Sequence, residues 1–136
     1  MKVKIPDLIK MANEVRDDLK YTETHEWVKI TGETVIIGIT DHAQSELTDI
    51  VFVELPEVGK KVKKGEELCV VESVKSVSEI YAPISGKIAN VNKNLEEVPE
   101  TVNESPYEEG WLVEIEISDK SEIDELLDAG SYKKLI

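Results

Sequence analysis

A lysine stands at the centre of a nearly symmetric passage of the sequence. Gly65 precedes Lys75 by ten residues, Gly86 follows it by eleven, and apolar residues lie at similar spacing beside each glycine. Two matched strands would therefore flank residues 73–76, which predicts a hairpin with Lys75 at its tip and a turn at each glycine. Hairpin tips are exposed because their strands leave the core there, so the lysine amine should reach solvent.

An exposed lysine amine can hold a covalently attached group. Acylation removes the charge of the ammonium and lengthens an already long side chain, so the attached group would stand clear of the scaffold. Residues 73–76 contain no acidic residue, so no carboxylate of the tip would hold the ammonium. The alternative is an ordinary solvated lysine in a loop, and the symmetry alone leaves both interpretations open.

The elements that would position Lys75 are mainly short strands. From Tyr21 onwards, apolar residues alternate with polar ones or form short runs, and turn-forming residues separate these runs. This pattern is typical of strands. It predicts them at residues 27–30, 35–39, 51–55, 66–73, 77–82, 84–91 and 112–117.

Helices are predicted at both ends of the chain and in one connection. Residues 6–19 begin with a proline and have apolar residues at three- and four-residue spacing, which predicts an N-terminal helix. Asp41 can cap a short helix, and Gln44, three residues further on, can complete a capping box. A C-terminal helix would begin near Ser121, with a further turn after Gly130.

Together these elements predict a mainly β fold. We expect a β-sandwich or flattened barrel with quasi-two-fold symmetry, an N-terminal helix, short connecting helices and a C-terminal helix. Residues 1–20 would form a helical extension and residues 21–117 the domain that holds Lys75. Residues 118–136 would form a helical segment packed on the same domain.

The charge of the chain limits its partners. The 136 residues include 29 acidic and 16 basic side chains, for a net charge of -13. A chain this acidic binds phosphate backbones poorly, so neither nucleic acid nor an anionic membrane is an expected partner. Thirteen of the acids lie between Asn94 and Asp128, where Lys120 is the only base. This segment is either a solvated face or a docking surface for basic partners.

Other residues argue against several kinds of site. Cys69, the only cysteine, excludes an internal disulfide, and its place in an apolar strand predicts a core residue. His25 and His42 lack metal-ligand spacing, so no metal site is expected. No glycine pattern for nucleotide binding is present. Three aromatic residues are expected to fill core gaps or line a cleft: Trp27, Phe52 and Trp111.

The sequence also bears on location. No apolar run approaches the roughly 20 residues that span a bilayer. Charged residues interrupt the N-terminal segment, which does not read as a signal peptide. We therefore expect the protein in the cytoplasm.

Several strings, in a consistent order, resemble one family. Residues 65–76 followed by 80–86 are similar to a lipoyl-attachment domain, and Val74 and Ser76 stand where biotin carriers usually have methionines. The tetrapeptide Glu72–Lys75 resembles H proteins rather than the lipoyl domains of 2-oxoacid dehydrogenases. Further similar strings are 21–22 with 25–28, 38–44, 49–56, and 105–107 with 110–112. From about Lys20 to Leu135, the chain resembles the glycine cleavage H-protein family of lipoyl carriers.

The resemblance implies a carrier rather than an enzyme. Lys75 would bear lipoate in amide linkage, attached by a lipoate ligase or an octanoyltransferase. The implied partners are a pyridoxal-phosphate glycine decarboxylase, a tetrahydrofolate-dependent aminomethyltransferase and a flavin (FAD) dihydrolipoamide dehydrogenase, and the carrier would be a monomer. The alternatives are an H-like protein that relays octanoyl or lipoyl groups in lipoate metabolism, and an unmodified interaction module of the same fold.

Four further residues match positions near the arm in this family: Thr24, Glu26, His42 and Glu79. By the same resemblance, a carboxylate beside an S-aminomethyl group would favour its ammonium form. Protonation removes the nitrogen lone pair that would otherwise expel the thiolate. The alternative for Glu26 and Glu79 is that both are exposed carboxylates at strand edges.

Overall fold

Two antiparallel sheets make up most of the fold in the computed structural model, which describes residues 14–136. The strands are β1 (Lys20–Tyr21), β2 (Glu26–Thr31), β3 (Thr34–Ile39), β4 (Ile50–Glu54), β5 (Lys61–Val62), β6 (Glu67–Ser73), β7 (Val77–Tyr81), β8 (Gly86–Val91) and β9 (Val113–Ile117). The larger sheet has the order β1-β2-β3-β9-β8-β5, and the smaller has the order β4-β6-β7. The predicted mainly β sandwich is confirmed, as two open sheets rather than a closed barrel.

The main core lies between the two sheets. Val28 and Ile37 of the larger sheet and Val53, Val71 and Ile80 of the smaller one are buried in a single cluster. In the first half of β3, buried Val35 and Ile37 alternate with the more exposed Thr34 and Ile36, as the period of two predicted. Cys69 belongs to the same cluster, as the sequence indicated.

A second apolar cluster fixes the C-terminal segment. Trp27 lies over Gly38, where an added Cβ would be 2.6 Å from the indole ring. The Trp27 indole donates a hydrogen bond to the Pro106 carbonyl oxygen at 2.8 Å. Tyr21 stacks on Tyr132 with ring centroids 4.6 Å apart. These contacts pack the C-terminal end of the chain against β1 and β2.

The two glycines that frame Lys75 in the sequence have different roles. Gly65 lies in a turn with φ of 90°, as predicted. Gly86 instead begins β8, where an added Cβ would lie 2.1 Å from the Glu116 carbonyl oxygen. The predicted turn at Gly86 is therefore wrong, because this glycine permits the close approach of β8 to β9.

The helices are shorter than the sequence predicted. They are α1 (Asp41–Leu47), α2 (Asn94–Glu97), α3 (Thr101–Glu104), a 3₁₀ helix (Lys120–Glu125) and α4 (Ala129–Leu135). Thr40 caps α1, because its hydroxyl accepts from the Ala43 backbone N–H at 3.1 Å. The predicted cap at Asp41 is thus wrong by one residue. Asp41 is instead buried within the first turn, where it accepts from the Gln44 amide at 2.8 Å.

The C-terminal helix predicted from Ser121 ends earlier than expected, and the further turn predicted after Gly130 is confirmed as part of α4. The 3₁₀ helix and α4 are separate and begin after Asp119 and Asp128, whose side chains accept from backbone N–H groups. Between them, Leu127 and Tyr21 exchange two backbone hydrogen bonds of 2.8 Å. This pairing with β1 interrupts the helical path.

The predicted N-terminal helix falls mostly on residues outside those described. Residues 14–19 are described and are not helical. The Tyr21 hydroxyl donates to the Arg16 carbonyl oxygen at 2.8 Å, and the Tyr107 hydroxyl donates to the Glu14 carbonyl oxygen. Tyrosine hydroxyls thus take carbonyl groups that a helix would have bonded internally. No helix within residues 14–136 is long and apolar enough to cross a membrane.

Candidate functional site

Lys75 lies in a two-residue loop at the end of the β6–β7 hairpin. Glu72 pairs with Val77, and the Ser73 backbone N–H donates to the Ser76 carbonyl oxygen at 2.8 Å. The Ser73 hydroxyl oxygen accepts from the backbone N–H groups of Lys75 at 3.1 Å and Ser76 at 3.0 Å. One serine therefore organises the backbone of the loop, and Lys75 is exposed as the hairpin pattern predicted.

The tip rests against the end of α1. The Val74 backbone N–H donates to the Asp49 carbonyl oxygen at 3.0 Å. The Lys75 Nζ donates to the Glu46 carbonyl oxygen at 3.0 Å, in an exposed hydrogen bond. None of the ion pairs found within residues 14–136 involves Lys75. The amine is therefore held by one neutral acceptor and is open to a reacting partner.

Glu26 is buried at the other end of β7. Its side chain is 1% exposed. Its carboxylate accepts from the Thr24 hydroxyl at 2.6 Å, from the Thr22 hydroxyl, and from the Tyr81 backbone N–H at 3.2 Å. Burial raises the pKa of this carboxyl, and the hydrogen bonds partly oppose the rise. The alternative of an exposed strand-edge carboxylate is wrong for Glu26.

Thr22 is a site residue that the sequence reasoning missed. Its hydroxyl accepts from the Glu26 backbone N–H at 3.0 Å and donates to the Glu26 carboxylate. His25 lies between Thr24 and Glu26 and has a positive φ of 72°. This backbone conformation folds residues 22–26 back on themselves. The spacing Thr22-x-Thr24-x-Glu26 was the available signal, since hydroxyls at alternate positions can converge on one carboxylate.

A surface groove brings several predicted residues together beside β7. A cavity of about 730 Å³ is lined by Glu23, Thr24, His25, Val77, Ser78, Glu79 and Tyr81. A second cavity, of about 510 Å³, shares Glu23, Thr24 and Tyr81 with the first and reaches Glu26. Glu79 is exposed and accepts from the Tyr81 hydroxyl at 2.9 Å. Thr24 and Glu79 thus line a groove that starts at Val77, two residues from Lys75, and Glu26 lines the neighbouring cavity that shares Thr24.

His42 is not among the residues that line either cavity. Its ring packs on the His25 ring with centroids 4.8 Å apart, and it is His25 that lines the cavity. The His25 Nδ1 is hydrogen-bonded to the Tyr132 hydroxyl at 2.8 Å, and that hydroxyl lies 2.7 Å from the Thr40 hydroxyl. Burial and the neighbouring His42 ring lower the pKa of His25. The sequence reasoning did not identify His25 as a groove residue or Tyr132 as its hydrogen-bond partner.

Other candidate chemistry finds no support in the structure. No group of three His, Cys, Asp or Glu side chains within residues 14–136 is arranged to bind a metal ion. Burial raises the pKa of the Cys69 thiol far above its ordinary value, so the thiolate nucleophile is not formed at neutral pH. Trp27 is buried and Trp111 packs against the second cluster. Phe52, expected in the core or a cleft, is 46% exposed instead.

Comparisons with known proteins agree with this geometry. The model of the glycine cleavage H-protein family matches residues 19–136. The glycine cleavage system H protein of Staphylococcus haemolyticus is 57% identical over 122 residues, which are 90% of this chain and 97% of that protein. That of Bacillus licheniformis is 60% identical over 119 residues, or 88% and 94% of the two chains.

A solved structure is similar as well. The crystal structure of a glycine cleavage system H protein from Mycobacterium marinum superposes with a TM-score of 0.81 at 40% identity. The match covers 88% of this chain and 97% of that one. The resemblance deduced from the sequence strings is confirmed. The chain belongs to the glycine cleavage H-protein family.

Proposed function

We propose that this chain is the lipoyl carrier of a glycine cleavage system and that lipoate is joined to Lys75 by an amide bond. The observation that supports this most directly is the state of the Lys75 amine. It stands on a two-residue loop and has one exposed hydrogen bond to a neutral carbonyl oxygen. Within residues 14–136, an acylating enzyme has no ion pair to break before the amine can react.

The groove beside β7 fits a long arm that begins at Lys75. Strand residues rise by about 3.3 Å each, so the four residues from Lys75 to Glu79 span roughly 13 Å. An extended lysine bearing an eight-carbon acyl chain covers a comparable distance. The arm would pass over Val77 and reach Thr24 and Glu79, which line the groove.

The proposed role of the chain is transport between enzymes. When bound, lipoate supplies a cyclic disulfide that opens as it accepts an aminomethyl group and two electrons, while the protein provides placement and protection. The carrier would collect the aminomethyl group at glycine decarboxylase and deliver it to the tetrahydrofolate-dependent aminomethyltransferase. It would then pass electrons to dihydrolipoamide dehydrogenase. We propose the cytoplasm as the compartment and a lipoate ligase or octanoyltransferase as the attaching enzyme.

The Glu26 carboxylate is suited to keep the amine of an aminomethyl cargo in its protonated, cationic form. Its carboxylate is buried and accepts three hydrogen bonds, yet no ion pair within residues 14–136 neutralises it. An ammonium group in the groove would gain from a charge that burial leaves poorly solvated. Glu79 would add a second, exposed carboxylate, and Thr24 would position the first.

A reconstituted system tests this function. The lipoylated chain is mixed with the three enzymes, tetrahydrofolate and NAD, and glycine-dependent NADH formation is recorded. Lys75→Arg should keep the fold but lose the activity entirely, because Arg retains the charge and cannot form the lipoyl amide by the ordinary route. The matched control is Lys87→Arg, which changes an exposed lysine of β8 and should keep full activity.

The main alternative is an octanoyl or lipoyl relay in lipoate metabolism, because the same tip would serve it. We rank it second, since the relatives are named for the glycine cleavage system. The lipoylated wild type would then support no glycine-dependent NADH formation. It would instead donate its acyl group to an apo lipoyl domain in the presence of a transferase.

A further inference from the structure

The outward face of the three-stranded sheet carries exposed apolar side chains among its carboxylates. Cross-strand pairs align Phe52, Glu72 and Val77 in one row, and Glu54, Val70 and Glu79 in the next. Directly opposed residues of an antiparallel sheet point to the same face, so both rows lie outside, away from the core valines 53 and 71. Phe52 is 46% exposed and Val77 is 65% exposed. We call Phe52, Val70, Val77 and the tip residue Val74 the outer patch.

Such a patch differs from an ordinary solvated sheet face. The outer side of an antiparallel sheet is usually polar, and soluble monomers rarely keep contiguous apolar patches without a use. Val74, next to Lys75, is 69% exposed, so the patch runs up to the tip. The amine of Lys75 therefore projects from the border of an apolar surface.

The surroundings of the outer patch have one sign of charge. Glu54, Glu72 and Glu79 stand within its two rows, and Asp49 is exposed beside the tip. The strands β4, β6 and β7 contain no lysine or arginine. Apolar side chains that alternate with carboxylates are complementary to a partner surface on which apolar side chains lie among Lys or Arg. Two copies of this chain would instead oppose carboxylates to carboxylates, which disfavours a self-association through this face.

We propose that the outer patch is the docking surface for the enzyme that acylates Lys75. This inference rests on the proposed function. The attaching enzyme must bring its active site to the Lys75 Nζ atom itself. Val74 and Val77 lie within two residues of Lys75 in the sequence. A protein that encloses Nζ therefore covers the Val74 and Val77 end of the patch, and Phe52 and Val70 continue the same face from there. An enzyme that acts on the far end of a long arm has no such requirement, because the arm spans the intervening distance.

The test measures attachment kinetics on the full apo chain. A lipoate ligase is supplied with lipoate and ATP, and initial rates of Lys75 modification are followed by intact mass at increasing carrier concentration. The amide forms between the lipoyl carboxyl carbon and Nζ; AMP leaves from the adenylate that ATP provides, and Nζ releases a proton. Phe52→Ser should raise KM for the carrier about tenfold and change kcat less than about twofold, as for loss of an aromatic docking anchor.

Two further variants make the result specific. Val58→Ser changes a 58%-exposed valine in a loop outside the patch and should leave KM unchanged. Val77→Thr keeps the shape and strand preference of the side chain and adds a hydroxyl, so it should raise KM without unfolding the hairpin. Thermal unfolding of each variant, expected within a few degrees of wild type, separates docking from folding.

The outcomes distinguish this inference from the proposed function. A ligase that modifies wild type, Phe52→Ser and Val77→Thr with equal KM overturns the docking surface and leaves the carrier role intact. Absence of Lys75 modification in wild type overturns both. An increase in KM that appears only with the aminomethyltransferase assigns the patch to that enzyme and overturns the inference as stated.

Discussion

The two ends of strand β7 hold their polar groups in opposite ways. At the tip, Lys75 Nζ makes one hydrogen bond to the part of the chain that the structure describes, an exposed one to the Glu46 carbonyl oxygen. At the other end, the Glu26 carboxylate is buried and accepts from two hydroxyls and the Tyr81 backbone N–H. The amine of the proposed attachment point is thus easily released to a reagent, whereas the Glu26 carboxylate is already held in place by its hydrogen bonds. A carrier arm needs both a free amine for its attachment and a rigid site that binds its far end.

We expect the largest effect on stability at Thr22, which is hydrogen-bonded to the buried Glu26. Thr22→Val keeps the side-chain shape but removes a donor to the Glu26 carboxylate and the acceptor of the Glu26 backbone N–H. Leaving buried groups unsatisfied should lower the free energy of unfolding by about 1–3 kcal/mol. Urea unfolding measures this change. Thr31→Val, at an exposed strand end, should change it by less than about 0.5 kcal/mol, and equal losses would contradict the account.

Glu26→Gln should weaken the protection of the cargo. The variant keeps the size of the side chain and removes its charge, so an ammonium group in the groove loses its buried partner. Without the Glu26 carboxylate, the pKa of the cargo's amine should fall by about one unit, which corresponds to about 1.4 kcal/mol. We therefore expect roughly tenfold faster release of ammonia from the isolated, loaded carrier. Release is followed by ammonia assay without the transferase. The same release rate in wild type and variant would remove Glu26 from this role.

The pH dependence of stability should also differ between the two ends. Because burial raises the pKa of Glu26 in the folded chain, the unfolded chain loses this proton at lower pH. Stability contributed by the protonated form is therefore lost as pH rises from the ordinary carboxyl range through the folded pKa. Glu26→Gln should flatten this part of the stability curve, measured by urea unfolding from about pH 4 to 7. Lys75→Gln, an exposed change, should leave its shape unaltered.

The smallest effect is expected at the tip. Ser73→Ala removes the hydroxyl that accepts from two backbone N–H groups, but those groups are exposed and water can replace it. We expect a loss of about 0.5 kcal/mol or less in the free energy of unfolding. A loss as large as that of Thr22→Val would mean that the side-chain hydrogen bonds of the tip stabilise the fold as much as those around Glu26. That result would contradict the comparison between the two ends of β7.

The strands and the tip could be predicted from sequence because both depend on local patterns. Alternation located seven strands, whereas β1 and β5 have two residues each and leave no period to detect. The helix at Ser121 was overpredicted because Leu127 pairs with Tyr21, a contact over about a hundred residues. The burial of Glu26 depends likewise on Tyr81, which is distant in sequence. By contrast, the position of Lys75 at a hairpin tip could be predicted from its two flanking strands alone.

Mass mapping of the peptide that contains Lys75, from chain isolated from its native host, tests the central claim most directly. The account predicts that this peptide is heavier by one lipoyl group, with the amide at the Lys75 Nζ, and that peptides containing the other lysines have unmodified masses. An unmodified Lys75 in a host that makes lipoate, or a lipoyl group on a different lysine, would contradict it.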